Sequence, residues 1–78
     1  MTIIMGRILE ETENKLLIEA YGVYEDWYDL PNEDLRKWVK KSCIITVNDE
    51  YTEDFSKWVN SEEPLEIALP QSQAKRLL

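Results

Sequence analysis

Few side chains in this chain can do chemistry, and their types narrow what that chemistry would be. There is no histidine and one cysteine, Cys43, among 78 residues. Acid–base work by an imidazole is therefore closed to it. Adjacent carboxylates are plentiful: Glu10 with Glu11, Glu25 with Asp26, Asp49 with Glu50, Glu62 with Glu63. A catalytic pair needs one acid desolvated and the other solvated, so that their pKa values split. Neighbouring acids in polar turns meet neither condition and read as solvated surface. Cys43 opens the apolar run CIITV, residues 43–47, with only Lys40 and Lys41 close by to favour a thiolate. It reads as a small core residue rather than a nucleophile.

Ligand signatures fail for equally specific reasons. NDEYTED, residues 48–54, sets oxygens at alternate positions like the start of a calcium loop. Its sixth position is Glu53 where the sharp turn needs glycine, and its twelfth is Val59 where a bidentate glutamate belongs. With Gly6 and Gly22 as the only glycines, no glycine-rich phosphate loop can form. One thiolate and no imidazole cannot build a structural zinc cage. The expectation is a non-enzyme with no catalytic residue, no cofactor and no metal.

Charge is more informative. The net charge of −7 is unevenly spread. Residues 1–31 carry two cations against seven acids (−5), residues 32–47 four against two (+2), and residues 48–78 three against seven (−4). Direct nucleic-acid binding wants a broad basic face, and this balance argues against it. An acidic chain instead suits a protein partner with a basic surface, of the kind an enzyme or complex uses to hold nucleic acid. Tyr24, Glu25, Asp26, Trp27, Tyr28 and Asp29 form an aromatic and acidic cluster suited to arginine and lysine through charge and ring contacts. Asp49, Glu50, Glu53 and Asp54 make a second acidic patch. These ten residues are the expected partner-binding set. The reading is an inhibitor that occludes a basic surface, of phage anti-defence or antitoxin (immunity) type. Its rival is a structural or adaptor subunit docking through an apolar strand edge or the C-terminal helix.

The elements that must position these residues follow from pattern. The chain is short enough for one small domain over residues 1–78, burying roughly 60–65% of its unfolded surface; a homodimer would bury more. Residues 2–11 and 15–21 read as a β-hairpin about a polar turn. Residues 23–30 fit a strand or a loop equally. EDLRKWV (33–39) and EDFSKWV (53–59) repeat one phrase. In each, acids fall where a helix dipole favours them and apolar residues fall at i, i+3 and i+4. Asn32 and Thr52 are candidate caps. Helices are therefore expected over 32–41 and 52–60, with Trp38 and Trp58 facing a core. LPQSQAKRLL, residues 69–78, reads as a third. Strands are expected at 43–47 and 64–69. The sum is an α+β domain: an N-terminal hairpin within a mixed sheet of about four strands, with two or three short helices packed on it. One unpaired cysteine suits a reducing cytoplasm, and MTIIMG is too short an apolar stretch for a signal peptide or membrane span.

Overall fold

In the computed structural model, residues 1–24, 26–27 and 36–77 are described, with the backbone alone for Asp26 and Trp27. Strand β1 (Thr2–Glu11) turns at Thr12 into β2 (Lys15–Val23), and the two pair antiparallel. The turn is closed by Thr12, whose N–H donates to the Lys15 carbonyl at 2.9 Å while its Oγ1 accepts from the Lys15 N–H at 3.0 Å. Short β3 (Asp26–Trp27) and β4 (Arg36–Lys40) both lie along the far edge of β2, one beyond the other. On the other side of β1 come β6 (Leu65–Leu69) and then the two-residue β5 (Thr46–Val47). Helix α1 (Gln71–Leu77) follows β6 directly.

Both glycines serve one irregularity in the hairpin. The register passes from Met5 opposite Gly22 to Gly6 opposite Ala20, so Tyr21 is an extra residue on β2. Gly22 has φ 149°, a conformation that side chains rarely tolerate. A Cβ on Gly6 would lie 2.6 Å from the Glu19 carbonyl oxygen. The bulge thus needs glycine on both strands, and it brings the Tyr21 hydroxyl onto the Glu19 side chain.

One face of the sheet carries the core. Ile4 and Ile8 of β1, Leu16, Ile18 and Ala20 of β2, Val39 of β4, Val47 of β5, and Leu65, Ile67 and Leu69 of β6 are all buried. Phe55, Ala74 and Leu77 close it from the connecting segment and α1. Cys43 packs against its margin, as a small apolar residue does. Beyond Gly6, β1 parts from β6, and its edge is taken by Val59, bridged to Ile8, with Asn60 N–H donating to the Ile8 carbonyl at 2.8 Å.

The fold is therefore not the expected α+β arrangement of a mixed sheet under two or three helices. Among the described residues it is a mostly antiparallel six-stranded sheet with one seven-residue helix and two short 3-10 turns. Residues 36–40 are strand, not helix, and Lys41–Cys43 is a 3-10 turn. An isolated ten-residue helix is marginal in water, whereas the Leu16–Ile18 stretch of β2 offers an open edge that five residues can join. Trp38 and Val39 are also good strand formers. Residues 52–60 hold only the 3-10 turn Ser56–Trp58. The Thr52 hydroxyl donates to the Asp54 carbonyl and Asp54 Oδ1 accepts from Ser56 N–H, so local side-chain bonds close tight turns in place of a helical ladder. The strand expected at 43–47 shrinks to Thr46–Val47. Trp38, expected in the core, is 42% exposed on the opposite face, while Trp58 does pack against the core. The hairpin, the β6 strand and the C-terminal helix stand where the sequence puts them, and β6 buries Leu65, Ile67 and Leu69 as its alternation requires. No described helix is long and apolar enough to cross a membrane.

Candidate functional site

The acidic turn is built by its own sequence. Asn48 and Asp49 both have positive φ, 52° and 63°, and Val47 and Glu50 exchange backbone hydrogen bonds at 3.0 Å. This is a two-residue hairpin of the mirror-image type that asparagine and aspartate tolerate. The NDEYTED stretch is thus a hairpin tip followed by side-chain-closed turns. Asn48 then ties the tip to the sheet: its Oδ1 accepts from the Glu66 N–H and its N–H donates to the Glu66 carbonyl, both at 2.8 Å. The clamp sets Asp49 beside Glu66.

Tyr24 reaches the same place from the other side of β1. Its N–H donates to the Ile3 carbonyl at 2.9 Å, and its ring is 45% exposed. Tyr24, Asp49 and Glu66 line one open hollow of about 240 Å³ with Met1, Ile3 and Thr46. The hollow thus sets an aromatic ring and two carboxylates on a partly apolar floor.

Of the other expected partner-binding residues, the described side chains of Glu50, Glu53 and Asp54 do not line it. Asp26 and Trp27 form β3, opposite Val23 and Gly22. Glu25, Tyr28 and Asp29 lie outside the described residues. Glu50 is exposed with Lys57 Nζ 3.7 Å from its carboxylate. Glu53 accepts from the Tyr51 hydroxyl at 3.1 Å, which holds that phenol's pKa above its usual value. Asp54 caps the 3-10 turn, accepting from the Ser56 hydroxyl at 2.7 Å and N–H at 3.0 Å, and these bonds lower its pKa. Among the described side chains, the structure thus joins Tyr24 of the first patch to Asp49 of the second. Glu53 and Asp54 point their chemistry into local turns.

Sequence reasoning missed Glu66 and Glu19. Glu66 reads only as the outward residue of an alternating strand, and nothing local says that Asn48 will clamp beside it. Glu19 sits on the face opposite the core yet is only 3% exposed. It accepts from the Tyr21 hydroxyl at 2.7 Å and from Arg36 Nε at 2.6 Å. Burial raises its pKa, but the Tyr21 and Arg36 hydrogen bonds and the charges of Arg36 and Arg7 outweigh that and leave it below the ordinary glutamate value. A carboxylate so well bonded is a poor general base; its role is to fix β4 to β2. The periodicity of β2 carries a faint signal, since Glu19 is the charged residue among Leu17, Ile18 and Ala20.

The chain matches no protein-family model, and neither a curated protein nor a solved structure is similar to it.

Proposed function

We propose that this protein is a non-enzymatic acidic interaction module that docks on a basic surface of a protein partner and occludes it. The observation carrying this reading is the hollow that gathers Tyr24, Asp49 and Glu66 from three elements. Backbone bonds hold Tyr24 and Glu66 and close the turn that carries Asp49, so little backbone ordering is left to be done on binding. Tyr51, 76% exposed, follows the same hairpin in sequence but lines a different hollow. A net charge of −7 speeds encounter with a cationic partner. Surfaces of that kind are where proteins hold nucleic acid, so occlusion inhibits. A reducing cytoplasmic setting suits the single cysteine.

The adaptor reading would use an apolar strand edge or the C-terminal helix, and of these the helix has Ala74 and Leu77 already buried in this chain's own core. The test is affinity capture from the native host, followed by titration of the captured partner. Asp49→Lys with Glu66→Lys is expected to weaken binding at least about tenfold, and added salt to weaken the native pair steeply. Affinity indifferent to both the double change and ionic strength would sink the proposal.

A further inference from the structure

A second surface, independent of the acidic hollow, collects the opposite charge. Lys15, Arg36, Lys37, Lys40 and Lys41 are five of the chain's nine cations, and all lie on β4, its following turn, or the start of β2. Lys15 and Lys40 stand directly opposite one another in the β2–β4 ladder. Like charges so placed, with Cβ atoms about 4.5–5.5 Å apart, repel. Among the described residues neither has an acidic partner, whereas Lys41 is held by Glu11 at 2.7 Å and Arg36 by Glu19. Lys15, Lys40 and Lys41 line an open hollow of about 400 Å³ with Asn14 and Ser42, and Glu13 is the only carboxylate lining it among the described residues.

Among the described residues the backbone beside this hollow is open as well. Lys41 N–H donates to the Asn14 carbonyl at 2.8 Å, which sets the phase of the ladder. Antiparallel pairing alternates, so Lys37 and Val39 bond to β2. Trp38 and Lys40 therefore turn their main-chain groups away from the sheet, and no described strand pairs with them there. Their side chains share the face opposite the core, where Trp38 is 42% exposed.

We infer that the free edge of β4 receives an extended acidic segment of a protein partner, which adds a strand to the sheet. Main-chain bonds to Trp38 and Lys40 supply the register. A carboxylate of the incoming segment opposite Lys40 offsets the repulsion between Lys40 and Lys15, and the next position on the same face lies opposite Trp38. Pairing of β4 with β4 of a second copy is disfavoured, because it would set this lysine-rich edge against itself. Edge lysines also guard sheets against aggregation, but that role alone needs neither the Lys15–Lys40 juxtaposition nor the hollow.

The test uses a short peptide alternating glutamate and threonine, followed by amide-resolved NMR and hydrogen exchange on the full chain. Expected are saturable shifts centred on residues 37–41 and at least tenfold slower exchange at the Trp38 and Lys40 amides. The same peptide N-methylated at alternate residues is expected to lose binding, and Lys40→Glu to weaken it at least about tenfold, the equivalent of 1.4 kcal/mol. Lys40→Gln, which keeps the strand and removes the charge, is expected to fall between. Unprotected Trp38 and Lys40 amides at saturating peptide would overturn strand addition. Equal binding of the N-methylated peptide, or of a single-stranded oligonucleotide, would overturn it in favour of a general polyanion surface.

Discussion

EDLRKWV and EDFSKWV differ at two letters, and the segments they belong to fold differently. In the first, Arg36 begins strand β4 and bonds Glu19 across to β2. In the second, Ser56 takes that position, and both its N–H and hydroxyl turn back to Asp54 to start a 3-10 turn. The shared Lys-Trp-Val then diverges. Val39 is buried at 3% within a strand, with Trp38 on the far face in solvent. Val59 bridges to Ile8 and is only partly buried against the core, and Trp58 packs on the core beside it with Lys57 Nζ 4.8 Å from its ring centroid. A seven-residue amphipathic phrase does not choose its own structure; the partner that its variable positions can reach chooses for it.

Four substitutions sharpen or break this contrast. The largest effect is expected from Phe55→Ala. Its ring is 3% exposed and closes the core from the second copy, so loss is expected at about 3–5 kcal/mol in chemical denaturation. A loss under about 1 kcal/mol would mean that the second segment merely rests on the sheet.

Next is Glu19→Gln, which removes the charge that holds the first copy as a strand. The cost is expected near 2–3 kcal/mol at neutral pH, less than for a fully buried pair because the Arg36 side chain is 38% exposed. The folded pKa of Glu19 lies below its unfolded value. Its contribution is therefore complete above the unfolded value and is lost as pH falls through the folded one. Denaturation midpoints followed downward from neutral pH are expected to fall less steeply in the variant than in the native chain. Parallel pH profiles would show that Glu19 does not carry the acid sensitivity.

The smallest effect is expected from Trp38→Ala. Exposed on the outer face opposite Leu17, its ring contributes cross-strand contact worth under about 1 kcal/mol. Trp58→Ala is expected to cost more, and the reverse order would invert the contrast between the copies.

The acidic hollow was half legible in the sequence. Tyr24 and Asp49 stand out by type, but they are 25 positions apart (49 − 24) and nothing in either segment announces the other. Glu66 joins them only because β5 and β6 flank β1 and Asn48 clamps the hairpin tip. The basic edge was legible as a charge shift over residues 32–47, but not its partner Lys15, which the β2–β4 register supplies. Trp38 was misplaced because i, i+3, i+4 spacing is equally consistent with a strand that buries one residue in five.

The sequence by itself determined what is local. It specified the hairpin through Gly6, Gly22 and its β-branched run, β6 through the alternation of Leu65, Ile67 and Leu69, and α1 through Ala74 and Leu77. It also determined that no imidazole chemistry is open to the chain. Only the tertiary structure decided that residues 36–40 join a sheet, that Glu19 is buried with Arg36, and that Tyr24 meets Asp49 and Glu66. The physical reason is the open edge of β2. A short amphipathic segment gains little from a solitary helix, and far more from backbone bonds and a buried valine on a sheet that is already there.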